Sequence, residues 1–277
     1  MCLKRESRPS GLSCVKQPYS SDLTASQWQG IKKLICVKRK SIWPLQRIVE
    51  AIFYLTKNGI IWRDLPEGFP PWQTVYWYFR KWSKNDTWIL IANELTMNHR
   101  RKVDKNSLPT VAIIDSQSVK NSATATQQIG FDGGKLIKGR KRFLMVDTLG
   151  HLLWTDVRPA NVADGKAGVL FWEQAEHLNP LLDDLVLMYA DSTFGGHFKE
   201  QLETIYDMRV VISKTPIEDQ ATDSKLVIHK WRWIVERTIS WLGNNRRLAK
   251  DYERTILSAQ SFIWIAHIRR TIKYAIG

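Results

Sequence analysis

The sequence predicts a mixed α/β domain preceded by a small all-α domain of helix-turn-helix type. Three observations predict it. Over the first third, apolar residues recur at helical spacing between turn-rich breaks. From residue 111 onward, short apolar runs of strand length alternate with helical patterns. The charge also changes along the chain: residues 1–110 carry 19 Lys and Arg against 8 Asp and Glu, whereas residues 111–277 carry 22 against 19. A net charge of +14 points to a polyanionic partner. Its asymmetry suggests a binding domain, residues 19–105, ahead of a catalytic one, residues 106–277.

With 277 residues, 44% of them hydrophobic, and 13 Trp, the chain can bury a sizeable core. Cys2, Cys14 and Cys36 lack the paired spacing of a zinc site and are odd in number, so they read as free thiols in a reducing compartment. No run approaches the roughly 18 apolar residues of a membrane span. Met1 to Pro18 is basic and polar, without an apolar signal core, and is expected to be a disordered tail on a cytoplasmic protein.

The first helix follows Ser21-Asp22, with Thr24 as another possible cap, and runs through Trp28, Ile31 and Leu34. Lys38-Arg39-Lys40 is expected to be a loop. The second helix begins near Pro44, carries Ile48, Ala51, Ile52 and Leu55, and stops at Asn58-Gly59. A turn-rich segment, Trp62 to Pro71, leads into an aromatic third helix, Trp72 to Trp82. Its aromatic residues keep helical spacing, which marks them as core rather than base-stacking residues. A fourth helix, about Thr87 to Met97, exits through His99-Arg100-Arg101-Lys102. Which helix would enter a DNA groove is not readable from the pattern.

In the second part, Phe143–Asp147 and His151–Arg158 read as a hairpin turning at Leu149-Gly150. Helices are expected over Asp164–Leu178, Gly196–Tyr206, His229–Leu248 and Ser258–Ala275, with strands at Leu185–Ala190 and Arg209–Ser213 and a polar loop at Thr215–Asp223.

Three carboxylates stand out. Val111 to Ile114 is an apolar strand that gives way to Asp115, and Leu185 to Ala190 is a second that ends at Asp191. A carboxylate at the end of a buried strand is costly unless paired, hydrogen-bonded or metal-bound. A lone Asp there is ordinarily a turn or cap residue, but two such strands would bring both carboxylates to one sheet edge. The third is Glu236, on the helix through Trp231, Ile234, Val235 and Leu242. Arg232, Glu236, Gly243 and Arg247 share another stripe of that helix. Arg232–Glu236 has the spacing of a surface ion pair, but in the less favourable order.

These segments resemble the motifs of bacterial insertion-sequence DDE transposases, in the branch named for insertion sequence five within the wider four/five group. The matching stretches are DSQSVK at 115–120, FDGGKLIKGRKRFLMVDTLG at 131–150, YADSTFGG at 189–196 and WIVERTISWL at 233–242. The segments YSSDLTASQWQGI and WRDLPEGFPPWQTVYWYFRKW resemble the family's helical amino-terminal domain. The resemblance implies an RNase H-like catalytic fold, an Asp115, Asp191, Glu236 triad holding Mg²⁺ (or Mn²⁺), double-stranded transposon-end and target DNA as partners, a homodimer on DNA and a nucleoid-associated enzyme. Carboxylates suit the chemistry, because Mg²⁺ prefers hard oxygen ligands, and two ions about 3.5–4 Å apart stabilise both the attacking and the leaving oxygens of a phosphodiester.

Lys135, Lys138, Arg140, Lys141 and Arg142 crowd a glycine-containing segment that is expected to be a phosphate-contacting loop. Arg232, Arg237, Arg246, Arg247 and Lys250 flank Glu236 and are expected to hold the transposon end. The chain departs from the signature of related groups at His229, where they carry Tyr, and at Gly243, where they carry Lys. Asp147 and Asp156 are the competing carboxylates, read as structural. The alternative reading is a DNA-binding regulator derived from a transposase whose catalysis has decayed.

Overall fold

The computed structural model describes residues 19–35, 37, 41–213 and 225–276, with backbone alone over 225–230. The expected tail at Met1–Pro18, the loops at Lys38–Lys40 and Thr215–Asp223, the three cysteines and the His229 side chain lie outside the described residues.

The basic front of the chain is helical. Helix α1 (Ala25–Lys32) starts at Thr24, whose hydroxyl accepts from the Gln27 N–H while the Gln27 side chain accepts from the Thr24 N–H. This reciprocal capping box selects Thr24 over Ser21 and Asp22 as the cap. Helix α2 (Leu45–Asn58) ends at Gly59, which turns left-handed at φ 69° so that its N–H reaches the Leu55 carbonyl. Helix α3 (Trp72–Lys84) follows Pro71, and α4 (Thr87–Lys102) extends past Met97 to include the basic exit. Arg47 fastens the entry to α2: it pairs with Asp22 and Glu50 and donates to the Gly68 carbonyl.

One mixed sheet organises the rest. Strand β1 (Val111–Lys120) lies at its centre, antiparallel to β3 (Ile137–Asp147) and parallel to β5 (Leu187–Ala190), which in turn pairs in parallel with β6 (Arg209–Ile212). The far edge of β3 carries short β2 (Gly130–Asp132) and then β4 (Leu152–Pro159), the return strand of the expected hairpin. Three antiparallel strands followed by two parallel ones is the RNase H-like arrangement. Helices α5 (Asp164–Leu178) and α6 (His197–Ile205) cover one face, where Phe143, Phe171, Phe194 and Phe198 meet. Helix α7 (Lys225–Gly243) lies against β1, and α8 (Ile256–Ala275) closes the chain.

Three sequence expectations change. Asp115 does not end its strand, because β1 continues five residues further, paired with β3 throughout. The expected loop GGKLIKGRKR is largely strand: only the glycine-containing turn precedes Ile137, since β1 on one side and β4 on the other take up the β3 backbone groups. Helix α7 also stops at Gly243, five residues short of the expected end. Arg247 then falls in a separate 3-10 turn, off the Glu236 stripe.

Helix α8 packs on α4, α2 and α3 as well as on β4. Phe262 stacks on Phe79 of α3 with ring centroids 4.8 Å apart, and Trp264 meets Trp154 of β4 at 6.2 Å. The apolar core therefore runs unbroken from the front helices into the sheet. No described helix is long and apolar enough to cross a membrane.

Candidate active site

The site forms where the parallel pair β1–β5 runs out. Ile114 is opposite Ala190, so the next residues, Asp115 and Asp191, stand side by side on neighbouring strands. Asp115 needs no strand end for this: it is enough that β5 stops beside it. Side chains alternate along β1, so Asp115 faces α7 while Ser116 faces α5, where its hydroxyl donates to Asp164 at 3.1 Å. Asp191 caps the short 3-10 turn Ser192–Phe194 by accepting from the Ser192 N–H.

Helix α7 brings the third carboxylate. Ile234 and Val235 are buried, and the Trp231 ring stacks on Tyr189 of β5 at 5.1 Å. On the far side Thr238 donates to the Gly150 carbonyl at 3.1 Å. Gly150 closes the β3–β4 turn at φ +85°, and a side-chain carbon there would stand 2.7 Å from the Thr238 hydroxyl. A glycine in the hairpin thus sets how closely α7 approaches the sheet.

Arg232 lies between the carboxylates. Its Nε donates to Glu236 at 2.9 Å, and its Nη1 is 3.6 Å from Asp191. Burial opposes the Arg232 charge, but the Glu236 hydrogen bond and the charges of Asp191 and Asp115 outweigh it and hold its pKa above the ordinary value. Burial pushes Asp115 up to about 6 against the hydrogen bond from the Ser116 N–H. The neighbouring Asp191 adds to the rise, while Arg232 and Lys135 oppose it. Asp115, Asp191, Arg232, Tyr189 and Trp231 line one recess.

Three carboxylates on neighbouring elements offer hard-oxygen donors, and a buried acid with a raised pKa gains from a cation beside it. In chemistry the set fits a divalent metal. In geometry Arg232 holds two of them, Asp191 and Glu236, instead, and among the described residues no three metal-binding side chains converge tightly enough to hold an ion.

Comparison with known proteins identifies the family. The model described as "Transposase DDE domain" matches residues 106–269, and the one described as "Putative transposase of IS4/5 family" matches residues 23–92. The chain belongs to the DDE transposases of the IS4/5 group. No curated protein matches it. Similar solved structures include the Mos1 transposase paired-end complex with left transposon end, at 14% identity over 87% of this chain and 81% of that one. The Mos1 mariner paired-end complex with Mn is 16% identical over 87% and 80%. Both have a TM-score of 0.28.

Within this transposase the cations expected on DNA are placed in different ways, and Arg232 among them is held by Asp191 and Glu236. Four are consumed internally, which corrects the expectation for them. Arg140 is fully buried, donating to Asp251 at 2.9 Å and to the Glu253 and Gln127 carbonyls. Arg142 donates to the Leu248 carbonyl, and burial lowers its pKa to about 10. Lys141 binds Asp164 at 2.8 Å, and Arg247 binds Glu253 at 2.7 Å and the Ile60 carbonyl. Charges in the middle of β3, between β1 and β4, cannot reach solvent, so they find carboxylates and carbonyls instead. Arg237 is half-buried between Trp233 and Trp241 and donates to the Leu149 carbonyl. Lys135, Lys138, Arg246 and Lys250 are exposed.

The competing carboxylates are tied into the scaffold: Asp147 pairs with Arg100 at 2.5 Å and Asp156 with Arg158 at 2.6 Å. Sequence reasoning missed Asp251, Glu253 and Asp164 as partners of strand cations. The signal was present in part, since alternation puts Arg140 and Arg142 on one face of a strand between apolar runs, where an internal partner is obligatory. It also missed His99, His151 and His267, which meet at the junction of α4, the hairpin and α8.

Proposed function

We propose that this transposase binds the terminal inverted repeats of its insertion sequence, cleaves DNA strands there and transfers the 3′-hydroxyl ends to target DNA. It would do so as a homodimer on the paired DNA ends. The observation that supports this most directly is the register that seats Asp115 beside Asp191, with Glu236 reaching the same place through Arg232.

In cleavage, a water oxygen attacks the scissile phosphorus, the bond to O3′ breaks, and the departing O3′ takes a proton. In transfer, that 3′-hydroxyl attacks a target phosphorus and displaces a target O3′. Asp115, Asp191 and Glu236 are the residues that would hold Mg²⁺ or Mn²⁺. The bound metal would activate the entering oxygen and stabilise the leaving one. Arg232 neutralises Asp191 and Glu236 in the free protein and must turn away from them for all three carboxylates to face a common centre. The exposed Lys135, Lys138, Arg246 and Lys250 would neutralise phosphates around the recess.

The test is cleavage of a labelled duplex carrying the element's own terminal repeat, with Mg²⁺ or Mn²⁺ against EDTA. Metal-dependent 3′-hydroxyl ends at the repeat boundary are expected. Glu236→Gln should abolish cleavage while binding the same duplex within about twofold of wild type, because a metal ligand goes with little change in shape. Specific binding with no cut under either metal would favour the decayed, regulatory reading. Lost binding in Glu236→Gln would make Glu236 a structural partner of Arg232.

A further inference from the structure

Helix α3 carries a feature that the catalytic site does not use. Val75, Phe79 and Trp82 are buried, as the aromatic core reading required. Gln73, Trp77, Arg80 and Lys84 are exposed, Trp77 to 57%. Their spacings of four, three and four residues put all four on one stripe. Helix α3 contains no Asp or Glu, and among the described residues no carboxylate pairs with Arg80, Lys81 or Lys84. A helix C-terminus favours cations, which by itself explains Lys81 and Lys84 in the last turn. It explains neither an exposed indole nor an amide and a guanidinium on the same ridge.

Among the described residues, recesses flank the ridge on both sides. Trp72, Tyr76 and Arg80 line a broad cleft whose opposite wall includes Thr124 and Arg254. Gln73 and Trp77 line a second recess with Ser41 and Ile42. A 13-residue helix is roughly 20 Å long and would fit lengthwise in a DNA major groove about 12 Å wide. The other front helices present less: most of α2 is buried, α1 has only eight residues, and α4 is packed against α8.

We propose that α3 is the helix that reads the terminal repeat, entering the major groove with Gln73 and Arg80 against base edges and Lys84 against a phosphate. Amide and guanidinium forks are the side chains that match adenine and guanine edges bidentately. The positive ridge complements the duplex, and the flanking clefts leave room for its two backbones. This inference rests on the transposase reading and names the part of the chain that supplies its sequence specificity.

The experiment is a competition gel shift of the full chain, comparing a terminal-repeat duplex with a scrambled duplex of equal length and composition. Gln73→Ala and Arg80→Lys together keep the net charge but remove both forks. Affinity for the repeat should fall roughly tenfold or more, with the scrambled duplex unaffected. Lys84→Ala should weaken both duplexes alike and reduce the salt slope by about 1. Arg101→Ala, an exposed cation on α4, should preserve the preference for the repeat. A second measurement guards against misfolding: 7-deazaguanine in the repeat should weaken wild-type binding but not weaken Arg80→Lys further.

Undiminished preference for the repeat in the double variant, or an equal loss on both duplexes, would overturn the proposal. So would intact preference with a dimer-to-monomer change in the sedimentation of DNA-free protein, which would make the ridge a self-interface. A wild-type protein that binds both duplexes equally would instead overturn the proposed terminal-repeat recognition, and this inference with it.

Discussion

Asp115 holds its charge at a cost. Burial and the neighbouring Asp191 raise its pKa to about 6, well above that of an unfolded aspartate. A carboxyl whose folded pKa is raised binds more protons folded than unfolded, so its penalty is absent at pH 4 and grows as pH rises toward 7. In EDTA, Asp115→Asn should therefore stabilise the protein at pH 7.5, on the order of 2 kcal/mol after allowance for solvent screening. It should change little at pH 4. Urea unfolding at the two pH values measures this, and equal effects at both would place the carboxylate in an unstrained environment. The same variant should not cleave DNA. At limiting metal, wild-type cleavage should fall as pH drops through about 6, because protonation of Asp115 competes with cation binding, and more metal should move the fall to lower pH. Arg140 illustrates the opposite case, a cation whose carboxylate partner is also buried. Arg140→Gln leaves Asp251 without its ion pair and should cost roughly 3–5 kcal/mol. Lys138→Gln, on the exposed part of the same strand, should leave the melting temperature within a degree or two and weaken DNA binding.

At the scale of elements, the joint between α4, the β3–β4 hairpin and α8 is made partly of histidines. His99 Nδ1 is 2.8 Å from His151 Nε2, and His267 Nε2 accepts from the Leu152 N–H at 3.3 Å. Burial lowers His151 to about 4 despite the nearby Asp147, and burial together with His151 holds His267 well below its usual range. A histidine with a depressed pKa is neutral when folded, so its contribution is intact above about 6.5 and is lost as pH falls toward 4. Stability should decline over that window by about 1.4 kcal/mol per pH unit for each histidine, and His151→Phe should flatten the decline. Urea midpoints between pH 7 and 4 measure it, and a flat profile would show the rings already charged. None of these contacts could be read in sequence, because the three rings come from segments scattered over more than 160 residues. Helix periodicity, by contrast, located the eight α-helices of the described residues, since each depends mainly on its own apolar spacing. Where β1 ends was not legible. Its second half, SQSVK, has no apolar run, and among the described strands it is β3 that pairs with it.

At the scale of the whole molecule, α8 decides what can be separated. It comes last in sequence, yet it fills the space between the front helices and the sheet, and its faces lie against both. Ile263, Ile265 and Ile268 are all fully buried in the intact chain. Removing residues 19–105 would expose a face of α8 that holds Phe262 against Phe79 and Trp62. Exposed apolar surface of that kind costs roughly 25 cal/mol per Å² and promotes association. Residues 106–277 made alone are therefore expected to aggregate or to unfold without a cooperative transition, whereas the intact chain should melt in one step. Far-ultraviolet dichroism and tryptophan fluorescence check this, because buried Trp82 and Trp88 report on the front helices and Trp154 and Trp264 on the sheet side. Coincident curves would show one cooperative unit. Two separated transitions would show that the basic front and the acidic site fold independently, and a truncated chain would then serve for binding studies. With a single transition, the link between the reading helix and the carboxylates is a rigid one, from α3 through α8 to β4 and β3 and on to β1. Specific binding on α3 would then fix where the scissile phosphate falls relative to Asp115.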